Sequence, residues 1–343
     1  MKVISTSVAL FMLLLVHTPK ALAGSFYEGK SIRLIVSSTP GGGNDTYSRL
    51  IARHISKYIP GNPTIIVQNM PGAGGLLAAD YLYRKARRDG TVMEQINWGV
   101  WYYQVIKDKR ARFDFNKINA VGVAFIDNAI FYTRKDRFAS LDELRKSGRK
   151  ATVSVSGRQS SPHVLGNLIE MVTGQKLFDY VFGYPGARQF SLAVRQGEVD
   201  ASGNTIGSGM DQVGDMIKSG ELVVLVQAGD EDGKRGPEFP NVPTLLELAK
   251  TPEAKKTVQS TFLLSHYGRP YALPPGVPKE RVQILRNAFW KTMSDPKLLD
   301  EAKRMNRAIE PLRGEALQRM WKETLSAPPD QVKIVQQIFG GIK

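Results

Sequence analysis

Two textures alternate along the chain. Ser31 to Ser38 (SIRLIVSS) is a short β-rich run that breaks at Thr39-Pro40-Gly41-Gly42-Gly43. Beyond the glycines, Tyr47, Leu50, Ile51, His54, Ile55 and Tyr58 recur at three- and four-residue spacing, which predicts a helix. Asn44 or Asp45 stands where an N-cap belongs, with a side-chain oxygen for a first-turn amide. Thr64 to Gln68 repeats the strand signal, Pro71-Gly72-Ala73-Gly74-Gly75 the glycine loop and Leu76 to Tyr83 the helix, giving a βαβα unit.

The alternation continues. Thr91 to Ile96 and Val121 to Thr133 read as strands, Ser140 to Ser147 as a helix, Thr152 to Ser156 as a strand and Ser161 to Thr173 as a helix. A second half follows with strands at Phe178 to Phe182, Val199 to Ala201 and Leu222 to Gln227, and helices at Ala187 to Gln196 and Met210 to Lys218. Such alternation predicts α/β lobes with parallel sheets covered on both faces. Prolines 237, 240 and 243, and again 270, 274, 275 and 278, mark stretches where regular structure pauses. From Val277 onward every periodic run is helical.

Glycine loops that open helices leave free amides at the positive end of a helix dipole, a setting that suits carboxylate or phosphate oxygens. Two such loops in consecutive units bring both cradles to one sheet edge, where α/β proteins bind ligands. The nucleotide signatures fail: there is no GxxxxGK[ST], and Gly72 to Leu77 lacks the third glycine of GxGxxG. Candidate ligand contacts in the first two loops are Ser38, Pro40, Gly42, Gly43, Asn44, Asp45, Gly72, Ala73 and Gly74. Ser156, Arg158, Ser160, Ser161 and His163 form a third loop of this type, in which Ser160 or Ser161 caps the next helix and Pro162 fits its first position. Tyr184, Gly186, Ala187 and Asn204 complete the candidates in the second half, with Trp98 after the third strand. Trp98, Trp101, Tyr102 and Tyr103 read either as a pocket floor or as core, and Asp200 as a tie for a neighbouring loop.

Composition narrows the chemistry. With 42% hydrophobic and 23% charged residues the chain is an ordinary globular one. The absence of cysteine excludes disulfides, thiolate catalysis and Cys-ligated metals, and four histidines argue against a His-rich metal site. There is no GxSxG or HExxH, so neither catalytic residues nor a metal or cofactor is expected. The formal charge of +15 favours anionic ligands, while its scatter along the chain argues against nucleic acid. Met1 to Ala23, with Lys2, the apolar run Val8 to Val16 and the Ala21-Leu22-Ala23 cleavage pattern, reads as a signal peptide removed after Ala23. The mature protein is thus expected outside the cytosol.

These segments, taken in order, resemble a known family. IRLIVSSTPGGGNDTYSRLIA, VQNMPGAGGLLAAD, RDGT, SSPH, FGYPGARQFSLAVRQGEVDA, KRGPEFPNVPTLLELA and PPGVPKERVQILRNAF are similar to the Bug-type extracytoplasmic receptors of tripartite tricarboxylate transporters. The resemblance implies a type II periplasmic-binding-protein fold, a Venus flytrap of two α/β lobes with a helical C-terminus. Lobe 1 would comprise residues 24–124 and 229–343 and lobe 2 residues 125–228, with crossings near Phe125 to Phe131 and Val226 to Gly229. It also implies a monomer that binds a small carboxylate and hands it to permease subunits; a sensor for a signalling membrane protein such as a kinase, or a periplasmic enzyme, are the alternatives. In the family the carboxylate is held by loops matching Ser38 to Asp45, Pro71 to Gly75, Ser156 to His163 and Tyr184 to Ala187. The family's first loop usually reads PPGGGTD, whereas Asn44 stands here in place of the threonine hydroxyl. Trp98 and Arg158 are expected to reshape the cleft for a bulkier carboxylate, so Trp98→Ala and Arg158→Ala should each weaken the ligand's affinity in calorimetry; unchanged affinity in both removes that expectation.

Overall fold

The computed structural model describes residues 26–97, 99–125, 128–158, 160–229, 232–265, 268–305 and 307–338. The signal segment, Trp98 and His266 lie outside them. The first unit runs β1 (Ser31–Val36), α1 (Gly43–Ile55), β2 (Thr64–Asn69), α2 (Leu76–Arg84), β3 (Val92–Gln95), the single turn α3 (Tyr102–Val105) and β4 (Asn119–Val123). The chain then enters a second sheet through β5 (Ala129–Arg134), α4 (Leu141–Lys146), β6 (Ala151–Val155), α5 (Ser161–Thr173), β7 (Phe178–Phe182), α6 (Ala187–Arg195), β8 (Ala201–Thr205), α7 (Ile206–Ser219) and β9 (Leu222–Gln227). It returns by α8 (Leu245–Leu248) and α9 (Pro252–Ser265) to β10 (Pro270–Leu273). It ends with α10 (Lys279–Met293), α11 (Pro296–Arg304), β11 (Leu312–Arg313), α12 (Gly314–Leu325) and α13 (Pro329–Ile338).

The sheets are mixed rather than parallel. The six-stranded sheet has the order β11-β4-β10-β3-β1-β2 and the five-stranded one β7-β6-β8-β5-β9. Strands β1, β2 and β3 are mutually parallel, and β10 is inserted antiparallel between β3 and β4. In the second sheet β6, β7 and β8 are parallel, while β5 runs antiparallel to both β8 and β9. The expected strand Val121 to Thr133 is thus two strands in two sheets. The expected proline pause also fails at Pro270, which opens a fully buried strand; proline is tolerated as the first residue of a strand because the missing N–H costs no interior ladder bond. No helix was expected between the proline stretches, yet α9 occupies Pro252–Ser265.

Several elements follow from local chemistry. Ser140 accepts the Glu143 amide at the start of α4, and Gly174 and Gly220 end α5 and α7 in left-handed conformation. Thr244 and Glu247 form a capping box on α8. Trp101, Tyr102 and Tyr103 are core, the Trp101 ring lying 6.2 Å from Trp321 of α12 and 6.1 Å from Phe115. Asp200 ties β8 to β6, accepting the Thr152 amide and hydroxyl, each at 2.9 Å.

One core residue is out of keeping. Glu94 of β3 lies between Ile35 and Ala272 on the adjacent strands and is 0% exposed. Neither carboxylate oxygen has a hydrogen-bond partner among the described residues. Burial without an ion pair pushes its pKa well above the ordinary carboxylate value, so the group is held neutral at acid pH. A raised folded-state pKa stabilises below the unfolded value and loses that stability as pH rises. Glu94→Gln should therefore raise Tm at pH 7 by a few degrees, at roughly 2–4 °C per kcal/mol for a chain of this size, and the gain should shrink toward zero at pH 4 in calorimetry.

Candidate functional site

The first glycine loop is set by a buried carboxylate. Asp45, 3% exposed, accepts the Gly41 amide and the Arg49 guanidinium on one oxygen and the Asn69 amide on the other, each at 2.9 Å. Asn69 also donates to the Ser38 carbonyl, tying β2 to the loop. Burial would raise the Asp45 pKa, but the bonds from Arg49, Gly41 and Asn69 hold it below the ordinary value. Gly41 sits at φ +80°, which a side chain rarely adopts. Neither Asn44 nor Asp45 is the N-cap: Gly42 holds that place without a side-chain bond, and α1 begins at Gly43. With its oxygens turned inward, Asp45 braces the loop and leaves the Gly42 and Gly43 backbone at the sheet edge.

The second loop bends through Gly72, Ala73, Gly74 and Gly75, all at positive φ. A Cβ on Gly75 would stand 2.8 Å from Asn97 Cβ and 3.6 Å from Ser37 Cβ, so glycine here lets the ends of β1, β2 and β3 close up. At that edge the hydroxyls of Ser37 and Ser38 are buried and have no hydrogen-bond partner among the described residues. Ala73 and Pro40 are exposed.

The expected residues of the second lobe differ in exposure and in partners. Ser160 opens α5, but its hydroxyl donates back to the Gly157 carbonyl at 2.6 Å rather than capping, and Ser161 is the first helical residue. Ser156 is half-buried. Arg158 is exposed; Asp108 of the first lobe is held below the ordinary carboxylate value chiefly by its bond from Arg110, with the Arg158 charge adding to it. His163 is 5% exposed, its ring packed at a tilt against Tyr180 at 4.6 Å and Phe182 at 5.8 Å. Burial lowers its pKa to about 4, so it is neutral at pH 7. Asn204, read from sequence as a loop residue, lies inside β8 and donates to Ser191 at 2.9 Å and Tyr132 at 3.1 Å. Tyr184 donates to Glu198 at 2.5 Å beside a recess of about 410 Å³ formed by Val181, Gln189 and Leu192. His163, Asn204 and Asp45 are thus packing and bracing residues here. Gly186, N-cap of α6 ahead of Ala187, faces the cleft: a Cβ there would stand 3.0 Å from Thr39 Oγ1.

The lobes touch across this edge. Gln212 donates to the Gly41 carbonyl at 3.2 Å, and Gly43 lies against Ser208 and Arg269. Arg269 donates to Thr205 Oγ1 at 3.2 Å, while Arg307 pairs with Asp211 and reaches the Gly207 carbonyl. Ser37, Gln212, Arg269 and Arg307 escaped the sequence reading. The two arginines belong to the return of the chain, and only the antiparallel placement of β10 brings Arg269 to this edge.

No family model matches the chain. It is 27% identical over 281 residues to the UPF0065 protein in the gbd 5′ region of Cupriavidus necator, covering 79% of this chain and 76% of that one. Against the protein BugT of Bordetella pertussis the identity is 25% over 236 residues, covering 65% and 67%. The fold superposes on the periplasmic binding protein BugD with TM-score 0.71, 19% identity and coverage of 91% and 98%. The chain is thus similar in sequence to BugT and in fold to BugD. The fold also matches MatC of Rhodopseudomonas palustris, solved with bound malate, at TM-score 0.68 and 20% identity over 89% and 99%. The Venus-flytrap α/β architecture of these receptors is the architecture of this chain.

If Asp45 braces the first loop, Asp45→Asn should lower Tm at pH 7 by several degrees, from about 1–3 kcal/mol of lost charge-assisted bonding. A depressed pKa stabilises above the unfolded value, near 3.8, and that contribution fades as pH falls through the folded value. The gap between wild type and variant should therefore narrow in melts taken toward pH 3.

Proposed function

We propose that this chain is a periplasmic receptor that captures a small carboxylate between its lobes and delivers it to the permease of a tripartite tricarboxylate-type transporter, without turnover. The observation that carries the reading is the pair of buried hydroxyls of Ser37 and Ser38 at the carboxyl edge of β1, which have no hydrogen-bond partner among the described residues. Around them stand the amide-bearing starts of α1 and the Gly72–Gly75 loop, with Gly186 opposite. Hydroxyls and helix-start amides donate hydrogen bonds, and a carboxylate that enters them exchanges its hydration for oriented donors. Lobe closure then seals the ligand, as hinge-closing binding proteins do. The +15 charge favours the encounter with anions. The signal-like leader supports a periplasmic location, and the malate bound to MatC, a neighbour in fold, is in keeping with a carboxylate ligand. The pocket groups bind rather than react: His163, the imidazole nearest the loops, is walled by Tyr180 and Phe182.

A thermal-shift panel of mono-, di- and tricarboxylates, aromatic carboxylates and phosphorylated compounds tests this. At 100 times its Kd a ligand stabilises by about 2.7 kcal/mol, readable as a shift of several degrees. One carboxylate class should shift the melt and be recovered unchanged by NMR, and Ser37→Ala with Ser38→Ala should weaken it about tenfold or more. A panel with no carboxylate response, or with product formed, overturns the reading.

A further inference from the structure

A run of cations stands at the rim of the cleft. Residues 107–112 read Lys-Asp-Lys-Arg-Ala-Arg and follow α3, which lies beyond the carboxyl end of β3. The loop is held in one shape. Lys107 takes φ 56°, in the left-handed region that lysine rarely adopts, while its amide donates to the Gln104 carbonyl at 3.0 Å and the Asp108 amide to the Tyr103 carbonyl at 2.8 Å. Asp108 accepts the Arg110 amide at 2.9 Å and the Arg110 guanidinium at 2.9 and 2.6 Å. That guanidinium carbon stands 4.9 Å above the Tyr103 ring. The one acid of the loop is thereby matched within the loop itself.

The other cations have no such match. Lys107, Lys109 and Arg112 are exposed and form no ion pair among the described residues. Trp321 of α12 packs on both Trp101 and Phe115, the aromatic residues on either side of the loop, and next to it the helix exposes Arg319 and Lys322, again without ion pairs among the described residues. The acids nearby do not cancel these charges: Glu323 of the same helix is exposed, and Asp114 is bonded by Gln104 at 3.0 Å and matched by Lys117 at 3.7 Å. Across the cleft, Arg158 follows the carboxyl end of β6 and its charge reaches Asp108, so the second lobe adds to the same positive field.

A site for one shaped anion needs buried donors that converge on a point. These cations instead stand on long exposed side chains spread over a loop and a helix, an arrangement that suits a surface whose negative charge is itself spread out. We propose that the 107–112 loop, with Arg319 and Lys322, docks on an anionic phospholipid bilayer and so turns the cleft mouth toward the membrane. The fixed loop keeps its cations presented, which lowers the ordering cost of arriving at that surface. This goes beyond the receptor reading and rests on it only for placing the chain beside a membrane. Each cation near an anionic bilayer strengthens association by about fivefold.

Residues 24–343 contain every described element and lack the apolar leader, so this form is sedimented with vesicles of phosphatidylethanolamine and phosphatidylglycerol, and with vesicles of phosphatidylcholine alone. Wild type should pellet with the anionic vesicles, stay in solution with the neutral ones, and be released by about 1 M salt, where the screening length is about 3 Å. Lys107→Gln, Lys109→Gln and Arg112→Gln together should weaken binding about a hundredfold, three steps of about fivefold each. The charge-conserving set Lys107→Arg, Lys109→Arg and Arg112→Lys should bind as wild type does. Arg87→Gln, Arg88→Gln and Lys279→Gln remove the same charge from exposed positions at the amino end of β3, away from the cleft, and should change binding by less than about fivefold. Equal weakening by the two glutamine sets makes the attraction one of net charge and overturns the proposal, as does loss of binding in the charge-conserving set or equal pelleting with neutral vesicles. Wild type that pellets with neither vesicle overturns it and leaves an acidic protein surface as the partner of the loop. A carboxylate response in the thermal-shift panel without vesicle binding overturns this proposal and spares the receptor reading; vesicle binding without a carboxylate response does the reverse.

Discussion

The molecule depends on one buried strand of four residues. Pro270–Leu273 joins β3 to β4, and without it the first sheet would divide into β2-β1-β3 on one side and β4-β11 on the other. The constraint is geometric as well as cohesive. A strand that returns from the second lobe enters from the cleft side, so it must run opposite to the strands that began in the first lobe, and the residue just ahead of it must lie in the cleft. Tyr271 extends the effect: its hydroxyl meets Ser48 of α1 at 3.1 Å and its ring packs on Phe289 of α10, fixing the helix whose first turn borders the site.

The site is made of backbone that the surrounding side chains hold in uncommon conformations. The glycine loops carry positive φ at Gly41, Gly72, Gly74 and Gly75, with Ala73 joining them at φ 45°. Such geometry persists only where neighbours over-determine it. Asp45 does so for the first loop, and the close approach of Asn97 and Val100 does so for the second. The Asp45 charge is balanced by Arg49, and the Asn69 amide satisfies its other oxygen, so the loop is held rigid.

Much of this was legible in the residues. The Phe178–Phe182, Ser161–Thr173 and Leu222–Gln227 elements were read to the residue, because apolar periodicity and flanking glycine or proline agree there. β8 was misplaced because Ser202, Gly203 and Asn204 carry no apolar signal; they are small and polar because they pack under α5 and hydrogen-bond inside the sheet. The glycine loops stood out, but glycine reports a turn without saying which amides face a ligand. His163 drew attention as a polar residue in a loop context, and its neighbours Tyr180 and Phe182, which bury it, come from a strand that sequence cannot place beside it. Arg269 was invisible for the opposite reason: its meaning arises from a strand pairing across about 150 residues, and proline signals masked that strand.

The same discontinuity dictates an order of assembly. Residues 129–227 supply every strand of the second sheet, so that sheet can form from a continuous segment. The first sheet cannot: β4 ends at Val123 and waits for Pro270 before its main partner exists. During synthesis or translocation from the amino end, one lobe is therefore complete while the other still exposes the flank of β3. Elements with such distant pairings form late and stay open to aggregation meanwhile. A chain built this way leaves its first lobe unfinished until its last third has emerged.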